Sequence, residues 1–93
     1  MKDWNFITNH GLVLLYISQH PQCTVREIAA TIGVTERTVH RAIVDLGDDG
    51  YISWQRTGSG NSYRINHEYS LKHELTRDLV VGDLLRLLND KDK

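Results

Sequence analysis

The stretch TVREIAATIGVTERTVHRAI, residues 24–43, restricts the fold more than any other part of the chain. Val25, Ile28, Ala29 and Ile32 fall at i, i+3, i+4 and i+7, the spacing of one helix face. Thr24 and Glu27 stand three apart, as a capping box requires, so hydroxyl and carboxylate can each satisfy a free backbone N–H. Gly33 then stops the helix, because glycine enters the left-handed region without a Cβ clash. Thr35 caps a second helix, in which Val39, Ala42, Ile43 and Leu46 repeat the apolar spacing until Gly50. Small Ala29, turning Gly33 and apolar Val39 suit a tight crossing, and the two stretches read as a helix-turn-helix.

The flanks extend this unit. A first helix opens near Thr8 and ends before Pro21. Leu12 to Ile17 is apolar at every position, which predicts burial on more than one side and a second subunit against the surplus. After Gly50, Tyr51–Arg56 and Ser62–Ile65 are rich in β-formers, with turn chemistry over Thr57–Asn61, and predict a β-hairpin. A polar passage over 66–78 precedes a last helix from about Leu79 to Asn89. Val81, Leu84, Leu85 and Leu88 make its apolar face, widened by Val80 and Leu87. The expected fold class is α+β and mostly helical: a winged helix-turn-helix with a three-helix core, a β-hairpin wing and an additional C-terminal helix. A chain of 93 residues has room for one such domain.

Several function classes lose support. No apolar run approaches the ~20 residues of a membrane span, and Leu12–Ile17 lacks the basic flank of a signal peptide. The single cysteine, Cys23, has no internal partner, which fits the reducing cytoplasm, and it reads as a small core residue. Five histidines raise the question of metal sensing, but His67 and His73 stand outside the short ligand spacings of dedicated sites. A metal-sensing repressor therefore stays a lesser alternative, and no cofactor is expected. Gly58–Gly60 is too short to cradle a phosphate, and no nucleophile, base and orienter are grouped, so an enzyme is not expected.

The helix beginning at Thr35 leaves Glu36, Arg37, Thr38, His40 and Arg41 outside its apolar stripe. A braced helix with such a face fits the DNA major groove, about 12 Å wide, where arginine binds guanine bidentately and hydroxyls suit phosphate. The net charge of −1 is unusual for such a partner, but the charge is segregated. Arg56 and Arg64 lie between Tyr51 and His67 without an acid, while Asp45, Asp48 and Asp49 cluster just before. The alternative is a winged-helix adaptor that binds protein rather than DNA.

Residues 24–66, TVREIAATIGVTERTVHRAIVDLGDDGYISWQRTGSGNSYRIN, resemble the small stand-alone MarR/ArsR-like bacterial transcriptional regulators. Asn9-His10, Thr35-Glu36-Arg37, Gly50-Tyr51-Ile52 and Asn61 with Tyr63 carry the resemblance, and VGDLLRLL extends it to the tail. It implies sequence-specific binding of double-stranded DNA by a homodimer joined through the first and last helices. Residues 8–67 would form the DNA-binding core and 68–93 a C-terminal segment with the dimerisation helix. The helix from Thr35 would be the recognition helix, supported by Thr24 and Arg26. The wing would bring Arg56, Ser59, Asn61 and Arg64 to the flanking backbone or minor groove. Two departures stand out: the tip Gly58-Ser59-Gly60 carries no basic residue, and Trp54 takes a place where a polar or basic residue is usual. A half-buried hairpin tryptophan is the reading for Trp54, with packing against a partner subunit or the DNA backbone as the alternative.

Overall fold

Threonine opens each of the first three helices. In a computed structural model describing residues 6–58, 60–72 and 74–89, Thr8 caps α1 (Asn9–Gln19), accepting a hydrogen bond from the Gly11 N–H at 3.2 Å. Thr24 caps α2 (Val25–Ile32) in the expected capping box: its hydroxyl accepts from the Glu27 N–H at 3.1 Å, and the Glu27 carboxylate accepts from the Thr24 N–H at 2.9 Å. Thr35 caps α3 (Glu36–Asp48) through the Thr38 N–H at 3.1 Å. Between α2 and α3, Gly33 sits at φ 86°, and its N–H and that of Val34 both donate to the Ala29 carbonyl. The helix stops because that left-handed residue turns the chain while the freed carbonyl stays satisfied.

Val39, Ala42, Ile43 and Leu46 of α3 meet Ile28 and Ala29 of α2 and Val13, Leu14 and Ile17 of α1 in one core. Cys23 joins it as a buried residue, as its isolation in the sequence suggested. Burial pushes its thiol up to about 11, with the Glu27 carboxylate adding to the effect.

The sheet holds one strand more than the hairpin. β1 (Gln22–Cys23) pairs with β3 (Gly60–Ile65), which pairs antiparallel with β2 (Ile52–Thr57), giving the order β1-β3-β2. Two residues cannot display an alternating pattern, so β1 left no periodic signal. Thr57 opposes Gly60, so the strands run closer to the tip than the expected Thr57–Asn61 turn allowed. Ser59 lies outside the described residues. Ile52, Trp54 and Arg56 share a sheet face with Ile65, Tyr63 and Asn61, their cross-strand partners. Only Ile52 and Tyr63 of these are buried; β3 is held toward the tip as well, where Asn61 and Ser62 pair with β1, and β2 beyond Ile52 is the exposed edge.

The last helix, α4 (Val81–Asn89), starts two residues later than the pattern indicated. The passage before it folds back on itself: Ser70 bridges Val80, and the Val81 and Gly82 N–H groups donate to the carbonyls of Tyr69 and His67. Val80 is thereby held in extended pairing. Asp83 accepts from its N–H at 3.2 Å, and this bond, with Arg86 at 2.7 Å, holds the Asp83 carboxyl below the usual range.

Val81 and Leu85 of α4 enter the shared core, and Gln19 donates to Asn89 at 2.8 Å beside them. Much of the wide apolar surface of α1 is therefore covered by the same chain, with Leu15 and Tyr16 packed against the core. Leu79 and Leu87 remain exposed.

Candidate nucleic-acid interface

The capped start of α3 presents Glu36, Arg37, His40 and Arg41 to solvent, while its opposite side is core. Arg37 lies in the first turn, and no basic residue stands in the last turn. Glu36 occupies the same turn, where the positive end of the helix dipole favours a carboxylate by about 0.3–1 kcal/mol and disfavours the Arg37 guanidinium. Thr38 is half-buried, and its hydroxyl meets that of Thr35 at 3.0 Å. Val44, exposed on the same helix, extends the outer surface beyond the residues named from sequence.

An open concavity of about 720 Å³ separates this helix from the wing. Thr24, Arg26, Glu36, His40, Arg56 and Asn61 line it, so six of the expected site residues from α2, α3 and both wing strands face one space. Val25, Trp54 and Gly60 line it too. Sequence reasoning missed Val25 and Gly60, because apolar and glycine positions carry no charge or hydroxyl to single them out, and held contact with the DNA backbone only as an alternative for Trp54. Arg26 reaches Glu36 at 3.7 Å across the helix-turn-helix, with both side chains largely exposed. Such a pair contributes little to stability and leaves the guanidinium available. Asn61 donates to the Tyr63 hydroxyl at 3.0 Å, and Tyr63 titrates above its ordinary range because it is buried.

Arg37, Thr38 and Arg41 border a neighbouring concavity with Asn9 and His10 of α1. His10 also faces the acidic group, lining a third concavity with Asp45, Asp48 and Asp49. Its Nε2 lies 2.8 Å from the Asp45 carboxylate. Asp45, one turn beyond Arg41 on α3, is therefore engaged by α1, a contact between residues 35 apart that no local pattern announces. Lys72 donates to the Asp49 carbonyl at 3.1 Å and lies 4.8 Å from the Tyr69 ring centroid.

Arg64 stands apart from the rest. It alternates with Tyr63 and Ile65 on β3, so it emerges on the sheet face opposite Arg56. It borders a separate hollow with Ser18, Pro21 and His67. The structure thus gathers Thr24, Arg26, Glu36, His40, Arg56 and Asn61, sets Thr35, Arg37, Thr38 and Arg41 beside them, and separates Arg64.

An exposed helix braced by another across a glycine turn, with a hairpin projecting beside it, is the winged helix of DNA-binding proteins. A family model described as the MarR family matches residues 5–61, more than half of the chain. The chain belongs to the MarR family, and with it to the DNA-binding transcription regulators rather than to enzymes. No curated protein matches the chain. Among the described residues, no helix is long and apolar enough to cross a membrane.

Proposed function

We propose that the chain is a homodimeric, sequence-specific regulator that places α3 in the major groove of double-stranded DNA and lays its wing along the flanking backbone or minor groove. The observation that carries this reading is the exposed basic face of Arg37, His40 and Arg41 beside the concavity shared with Arg26 and Arg56. Arg37 and Arg41 are suited to base edges, where bidentate arginine recognises guanine. Arg26, Arg56 and the capped helix start at Thr35 suit phosphates. Asn61 supports the wing strand, and Ser59 at the tip adds a hydroxyl without charge.

Residues 8–67 form the DNA-binding core in this reading, and 68–93 the dimerising segment. Leu79 and Leu87, exposed at and before α4, supply the apolar contact, together with what α4 leaves uncovered on α1. A two-fold pair would set its recognition helices about 34–36 Å apart, one turn of DNA. A regulator of this kind acts in the cytoplasm, where bacterial chromosomes lie.

Selection of bound duplexes from a random pool tests the reading. The expected product is a near-palindromic site with half-sites about 10–10.5 base pairs apart, centre to centre. Recovery of no enriched sequence at low salt would refute it.

A further inference from the structure

We propose that Trp54 is a positioning residue for DNA recognition: its indole, seated on Gly47 of α3, fixes the distance between wing and recognition helix. It thereby places Arg56 over the phosphates beside the groove that α3 enters. The proposal rests on the DNA-binding reading above and adds to it a device that sets the geometry of the two contacting elements.

β2 is an edge strand held through β3 to β1, and beyond Ile52 none of its residues is buried, so few side chains set how closely it approaches the helices. Trp54 is the exception. A Cβ built on Gly47 would lie 2.8 Å from the far edge of the indole at Cζ3 and 3.2 Å from Cη2, so the ring rests directly over the helix backbone. Gly47 is not at a positive φ: it keeps helical backbone as the last residue but one of α3. Glycine costs a helix backbone entropy, and the left-handed turn that accounts for Gly33 does not account for it. The close approach of the indole does.

The seat is buttressed from behind. Tyr63 faces Trp54 across the strands with ring centroids 6.0 Å apart, and the Tyr63 hydroxyl accepts from Asn61. The other side of the indole is open, 40% of Trp54 being exposed, and it lines the concavity between α3 and the wing. Arg56 is two residues along on the same sheet face and lines the same space. A rigid ring between the helix and the strand therefore sets where that guanidinium stands relative to Arg37 and Arg41.

The test combines substitutions on the site selected from random DNA. Trp54→Ala should weaken binding about ten-fold and flatten its salt dependence as much as Arg56→Ala does. Arg56→Ala should then cost little more in the Trp54→Ala background, because the arginine is already misplaced, whereas Arg37→Ala should cost its full amount in either background. Gly47→Ala keeps the indole but lifts it, and should reproduce the flattened salt dependence; it decides the matter should Trp54→Ala not fold. Losses from Trp54→Ala and Arg56→Ala that multiply, or a Gly47→Ala variant with the parent's salt dependence, would overturn the role of Trp54 alone. A parent that selects no duplex DNA would overturn the functional reading and this role with it.

Discussion

Removing the Arg56 guanidinium should flatten the salt dependence of DNA binding, and removing that of Arg64 should leave it unchanged. The two arginines have the same charge and flank the same tip, yet β3 pairing puts them on opposite faces of the sheet. Arg56 shares the concavity beside α3 with Arg26 and His40, while Arg64 borders the hollow near Ser18 and Pro21. Each phosphate neutralised contributes about −0.9 to the slope of log affinity against log salt. With Arg26 and Arg56 acting in each half-site, a dimer neutralises four phosphates and shows a slope of roughly −3.6. Arg56→Ala leaves two and a slope of about −1.8 by the same rule. Between 50 and 200 mM salt, the parent then loses about 10² in affinity and the variant about ten-fold. Fluorescence anisotropy titrations over that range separate the two. Equal flattening by Arg64→Ala and Arg56→Ala would refute the reasoning, and a parent slope near −10 would bring in cations elsewhere, such as Lys72 or Arg77.

Further outcomes follow from other parts of the structure. Thr35→Ala removes the acceptor for the Thr38 N–H and should cost about 1 kcal/mol, seen as a fall of roughly 4–8 °C in the thermal midpoint. Cys23 has a thiol pKa raised to about 11, so it should react slowly with alkylating reagents at neutral pH. Because its folded value lies above the ordinary 9.0, its contribution to stability is complete below pH 9 and is lost as pH rises toward 11, and Cys23→Ala should show less alkaline destabilisation over that window. Sedimentation should give a dimer at tens of micromolar, and Leu87→Glu, which puts a charge on the exposed α4 surface, should shift it to monomer; a parent that sediments only as monomer would remove the dimer from the account.

The helical half of this fold was legible because its signals are local. Thr24 with Glu27, Gly33, and Thr35 ahead of Val39 act within a few residues, and each appears where its spacing placed it. The hairpin was legible in its β-formers, but its tip was not, since Thr57 and Gly60 are both turn-type residues that pairing draws into the strands. β1 was hidden by its length, and the start of α4 by the Ser70–Val80 bridge, which no propensity encodes. The candidate site divides along the same line. The outer face of α3 could be read from helical periodicity, because whatever lies off the apolar stripe faces out. Which wing arginine shares that space could not, because it depends on the tertiary placement of β2 against α3. The His10–Asp45 contact and the Trp54 seat on Gly47 were equally invisible for that reason. The apolar surplus on α1 had the opposite fate: the sequence pattern was correct, but α3, α4 and α2 of the same chain all pack against α1.

The central claim is that the exposed face of α3 reads DNA sequence, and discrimination by Arg37→Ala and Arg41→Ala tests it most directly. Affinities for the selected site and for its single-base variants would be measured at one fixed salt concentration, with the folding stability of each protein in parallel. Both side chains lie off the stripe of Val39, Ala42, Ile43 and Leu46, so stability should stay within ~0.5 kcal/mol of the parent. Each variant should lose about 1–3 kcal/mol of discrimination, confined to the base positions that its arginine contacts. Two stable variants that bind and discriminate as the parent does would contradict the account.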